Sequence, residues 1–114
     1  MTDRDEFLAT EVMLWVADVR YNQTKYIESL PRGGVRYRDA GCWRPSKDWS
    51  QTGMILEVME KDGWDCHLTI LSGLPRHAMF RRFGTVLEDV AEAEADDLRE
   101  AIATAVARAK GWEG

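Results

Sequence analysis

Cys42-Trp43-Arg44-Pro45-Ser46-Lys47-Asp48-Trp49 is the stretch that divides the chain, because it places two of the five tryptophans, a proline and two capping side chains within eight residues. Proline suits the non-helical geometry just ahead of a helix, and Ser46 or Asp48 can accept hydrogen bonds from the free amides of its first turn. A helix therefore starts here. Trp49, Ile55, Leu56 and Met59 supply its apolar face, with Glu57, Glu60 and Lys61 turned outward. Asp62-Gly63 ends it.

Towards the C-terminus, Trp64 to Leu71 alternates apolar with polar residues, which predicts a strand with one buried face. His77 to Phe83 reads as its hairpin partner across Ser72-Gly73-Leu74-Pro75, and Thr85 to Glu92 adds a further strand. The last helix spans about Asp96 to Lys110. It begins with acidic residues and ends with Arg108 and Lys110, matching both ends of the helix dipole. Leu98, Ile102, Ala105, Val106 and Ala109 form a narrow stripe whose small members let the helix lie close to a sheet.

Towards the N-terminus, Asp39-Ala40-Gly41 is a break. Before it, Lys25 to Leu30 and Val35 to Arg38 form a hairpin around Pro31-Arg32-Gly33-Gly34, where the glycines can take positive φ. The first segment, from about Asp3 towards Arg20, sets Leu8, Val12, Trp15, Val16 and Val19 on one helical face. Thr2 is placed to cap it, with Asp5 reaching back. Trp15 to Tyr21 is also good strand material, so the end of this helix stays open.

The 114 residues have room for one domain with a core of its own, and 45% apolar with 31% charged residues is the composition of a soluble globular protein. No apolar run approaches the roughly 20 residues that cross a bilayer. The acidic start, Met-Thr-Asp-Arg-Asp-Glu, lacks the features of a secretory signal, so a cytoplasmic location is expected. In a reducing compartment Cys42 and Cys66 are expected to remain free thiols. The net charge of −5 is unevenly spread. Arg32, Arg36, Arg38, Arg44 and Lys47 lie close in sequence, as do Arg76, His77, Arg81 and Arg82. Residues 88 to 100 hold Glu88, Asp89, Glu92, Glu94, Asp96, Asp97 and Glu100. Without a basic excess or a binding motif, duplex nucleic acid is not an expected partner.

The order helix, hairpin, Trp-x-Pro-Ser-x-Asp, helix, Trp-containing hairpin, alanine-rich helix resembles the phage ABA sandwich domain, a family of small proteins of phages and prophages. The resemblance is carried by Glu11-Val12-Met13-x-Trp15, by Trp43-x-Pro45-Ser46-x-Asp48, the most specific motif, and by Ala101 to Ala109. It covers nearly the whole chain as a single domain, residues 1–114. It implies an α+β fold, a mainly antiparallel sheet of four to five strands with helices on both faces, an α/β/α sandwich. Trp49, where the family carries a small apolar residue, and Gly53, where a larger core residue is more natural, depart from the pattern; the Trp49 ring is expected to fill the space. The family implies no residue-by-residue activity.

The same segment supports two readings. In the first, Trp43 and Trp49 bury apolar area while Ser46 and Asp48 cap the helix. In the second, helix-start amides beside Arg44, Arg36 and Arg38 hold an anion, Trp43 stacks a nucleobase, and Asp48 meets a ribose hydroxyl in place of capping the helix, with Ser46 in the same site. Other chemistry is poorly supplied. Cys66 and His67 are adjacent and point to opposite faces of a strand, and neither they nor Cys42 and His77 have metal-ligand spacing. No nucleophile–base order or phosphate-binding loop is present, so neither an enzyme nor a cofactor or metal is expected. Two functions follow. The leading one is a non-catalytic counter-defence protein that sequesters a small anionic, nucleotide-type host signal at Trp43, Arg44, Ser46, Asp48, Arg36 and Arg38, as a homo-oligomer with sites between subunits. The alternative is an inhibitor of a host defence protein acting through the acidic stretch, or a structural, virion-associated protein.

Overall fold

The computed structural model describes residues 3–84 and 88–114. The first helix, α1 (Arg4–Phe7), runs directly into a wider π-helical turn, Leu8–Val12. Asp3 caps it, its carboxylate accepting from the amides of Asp5 and Glu6; the expected cap Thr2 lies outside the described residues. The helix does not continue to Arg20. Met13 N–H closes on Leu8 C=O, Trp15 N–H reaches Ala9 C=O, and Leu14 takes a left-handed φ of 60°, which redirects the chain. The β-branched Val16 and Val19 then belong to a strand.

That strand, β1 (Val16–Arg20), is followed by β2 (Gln23–Ser29) and β3 (Val35–Asp39) in an antiparallel meander of order β1-β2-β3. Tyr21 and Asn22 both have positive φ, the geometry of a two-residue hairpin loop. Gly33 and Gly34, at φ 92° and 82°, make the second turn, as their sequence implies. A 3-10 turn, Ala40–Cys42, leads to the tryptophan segment. Asp48 then caps α2 (Trp49–Lys61), which Gly63 closes at φ 85°.

The second half contains β4 (Asp65–Thr69), β5 (Arg76–Phe83), β6 (Glu88–Ala95) and α3 (Leu98–Ala109). The three strands form another antiparallel sheet in the order β4-β5-β6. The expected strand over 85–92 begins partly outside the described residues. α3 lies across β5 and β6, where Ala78, Phe80 and Ala93 are buried against its alanine-rich surface. α2 and the π-turn pack against α3, and Leu8, Val12, Ile55, Met59, Ile102 and Val106 meet in one core.

Among the described residues the fold is thus α+β, with six strands rather than four to five, divided into two three-stranded sheets rather than one sheet sandwiched between helices. The physical reason lies between β3 and β4, where α2 interrupts the strands and each meander closes locally on its own turns. Two further expectations are corrected. β4 has no buried face, all five of its residues being exposed. Trp49 and Gly53 do not make a compensating pair, because Trp49 is 56% exposed and a side chain at Gly53 would meet open space.

Candidate functional site

The tryptophan segment enters the core side-on. Trp43 is only 5% exposed; it packs edge-on to Trp15 with ring centres 4.7 Å apart, and its Nε1–H donates to Asp5 C=O at 2.8 Å. Neither face is open to a stacked base. Ser46 is also buried, its Oγ accepting from Arg4 Nη2 at 3.0 Å. Asp48 Oδ1 accepts from Ser50 N, Ser50 Oγ and Gln51 N at 2.9, 2.6 and 3.2 Å. These bonds, the Ser50 hydroxyl's first, hold the Asp48 carboxyl below its ordinary range. The cap therefore occupies amides that an anion would use.

The arginines assigned to the site are already engaged, two of them on one carboxylate and the third elsewhere. Arg38 Nε donates to Glu28 at 2.9 Å while its guanidinium lies 4.6 Å from the centre of the Trp15 ring. Arg36 approaches the same Glu28 carboxylate at 3.8 Å. Arg44 is exposed and turns back to Gly41 C=O at 3.2 Å. Of the six residues, Arg36 and Arg38 meet at Glu28, and Arg38 and Trp43 border a shallow groove of about 190 Å³ that Asp39, Cys42 and Gln51 also line. A larger groove of about 330 Å³ on another side of Trp43 carries Asp3, Asp5 and Glu6. Its charge opposes an anion.

Two arginines absent from the sequence-based site organise it. Arg4 Nη1 donates to Glu100 at 2.6 Å and to Thr104 Oγ at 3.2 Å, in addition to its bond to Ser46. Arg99 is held by Asp97 through Nε and Nη2 at 3.1 and 2.9 Å, and donates from Nη1 to Lys47 C=O at 2.6 Å. The Asp97 carboxyl is lowered to about 2, first by the hydrogen bond from the Arg99 side chain. Arg99 also stands 5.5 Å from the centre of the exposed Trp49 ring. Three helix starts thus meet at one polar junction. Local capping signals mark each start, but no sequence spacing brings residues 4, 46, 99 and 100 together.

The acidic stretch resolves into two parts. Asp97 caps α3. β6 is an outer strand, and among the described residues it pairs only with β5. The register places Val90, Glu92 and Glu94 on one face opposite Arg81, Met79 and His77. Glu92 meets His77 Nε2 at 3.1 Å, and Asp89 meets Arg82 at 3.2 Å on the other face. Val90 and Phe83 are exposed.

Cys42 and Cys66 are free thiols. Among the described residues no cluster of three or more His, Cys, Asp or Glu could hold a metal ion, and no helix is long and apolar enough to cross a membrane. No family model, curated protein or solved structure matches the chain. The resemblance to the phage ABA sandwich domain rests on the motif residues alone.

Proposed function

We propose that this chain is a non-catalytic accessory protein of phage or prophage type, acting in the cytoplasm of an infected bacterial host by docking on a basic segment of a host defence protein. The observation that carries this reading is the position of β6. An acidic strand lies at an outer edge of its sheet, where main-chain donors and acceptors face away from β5. Arg108 Nη1 already donates to Glu92 C=O at 3.0 Å; an added strand of partner chain would take the remaining bonds, its basic side chains meeting Glu92 and Glu94 and its apolar ones Val90 and Phe83. Opposite charge would speed encounter and set orientation.

The test is affinity capture from host lysate with the native chain and with Glu92→Lys/Glu94→Lys, followed by calorimetry of the purified captured protein at low and high salt. The reading expects a protein retained by the native chain, lost with the double variant and weakened by salt. Equal retention by both forms would count against it.

A second reading, sequestration of a small anionic nucleotide, is favoured by one observation: Trp49 is exposed beside Arg99 at the start of α2. It calls for a thermal-shift panel of cyclic oligonucleotides, cyclic ADP-ribose isomers and NAD. A midpoint raised by one compound and restored in Trp49→Ala would support it.

A further inference from the structure

We infer that the opposite edge of the second sheet, strand β4, is where two copies of this chain join, giving a six-stranded sheet across a two-fold axis in the order β6-β5-β4-β4-β5-β6. Among the described residues β4 pairs only with β5. Cys66 and Leu68 stand opposite Phe80 and Ala78, on the side that α3 covers, yet both are exposed because α3 spans β5 and β6 and stops short of β4. Leu68, Ile70, Leu71 and Leu74 form an exposed aliphatic run along this edge and its turn. Lysine, proline or a bulge is the usual protection of such an edge, and β4 has no lysine or proline.

The amount of surface points to a second copy as the occupant. A 13.0 kDa chain exposes 7527 Å², whereas a folded monomer of this mass exposes roughly 6,300 Å². The radius of gyration, 14.9 Å, likewise exceeds the roughly 13 Å expected for 114 residues. The excess, on the order of 1,000 Å² per chain, is enough for an interface of ordinary size, which covers about 800 Å² of each partner. Charge selects between the two edges of this sheet. With a net charge of −5, a copy meeting itself through β6 would set Asp89, Glu92 and Glu94 against their own counterparts. Asp65 is the one acidic residue of β4. Antiparallel pairing of a strand with its own copy is also what a two-fold axis produces. The dimer would leave both acidic β6 strands at its outer ends.

Light scattering on a sizing column and native mass spectrometry test this, with amide hydrogen exchange over residues 65–69. The native chain is expected at twice 13.0 kDa, and amides of β4 that face away from β5 are expected to slow as concentration rises. Leu68→Lys and Ile70→Lys both replace exposed side chains; either is expected to run as a folded monomer, judged by an unchanged circular dichroism spectrum. Tyr37→Lys, on the first sheet, and Glu92→Lys/Glu94→Lys should remain dimeric, which separates this inference from the reading of β6. A native chain that stays monomeric at its highest attainable concentration overturns the inference. So does a dimer that persists in both Leu68→Lys and Ile70→Lys, or one lost only in Tyr37→Lys.

Discussion

Arg4 Nη2 donates to Ser46 Oγ at 3.0 Å, tying the first turn of α1 to the residue two places ahead of the α2 cap. The same guanidinium holds Glu100 and Thr104 on α3, so one side chain fixes three helices. Its geometry explains why Ser46 is buried and unavailable to a ligand.

Replacing Arg4 by Met is expected to destabilise the fold by about 2 kcal/mol, because Ser46 and Glu100 lose a charge-assisted partner in a half-buried setting. Urea unfolding measures this. Ser46→Ala combined with Arg4→Met should cost less than the two single changes added together, since both break the same bond. Full additivity would show that the contact contributes nothing.

The two tryptophans of the opening segment should respond to very different extents. Trp43→Ala removes a ring packed on Trp15 and a bond to Asp5, so a loss of about 3–5 kcal/mol is expected. Trp49→Ala, at an exposed position, should cost under about 1 kcal/mol. Denaturant midpoints for the two variants decide the matter, and equal losses would contradict the placement of Trp49.

Acid should weaken the α3 cap in a defined window. The Asp97 carboxyl is lowered to about 2 in the folded chain, first by the Arg99 hydrogen bond, against an ordinary 3.8. Its contribution is present above the ordinary value and is lost as pH falls from there through about 2. The difference in melting temperature between the native chain and Asp97→Asn is therefore expected to be full at pH 7 and to narrow below pH 3.8. A difference that stays constant across this range would remove the Asp97–Arg99 pair from the account.

The small residues of α3 should resist enlargement. Ala105 is fully buried in the core, so Ala105→Leu is expected to cost about 1–3 kcal/mol through overpacking. Thermal unfolding followed by circular dichroism gives the comparison.

Much of the fold is legible in sequence because its signals are local. Pro45 and Asp48 mark the start of α2, the Gly33-Gly34 turn marks the first hairpin, and the alternation of His77 to Phe83 marks β5. Periodicity does not say where an element ends up. Trp49 fits the apolar spacing of α2, but it lies in the first turn, more than half exposed, beside Arg99 rather than in the core. Leu68 alternates as a half-buried residue should, yet its strand is an edge that α3 does not reach. Nor does alternation reveal which strands share a sheet once α2 separates them. The candidate site suffered most, since its organising contacts, Arg4 to Ser46 and Arg99 to Lys47, join residues 42 and 52 positions apart.

The most direct test of the proposed function is calorimetric titration of the captured host protein into the native chain and into Glu92→Lys/Glu94→Lys, at low and high salt. The account predicts binding to the native chain that weakens with salt and is abolished by the double variant, whose fold is unchanged. Equal, salt-insensitive binding by both forms would contradict the assignment of β6 as the docking strand.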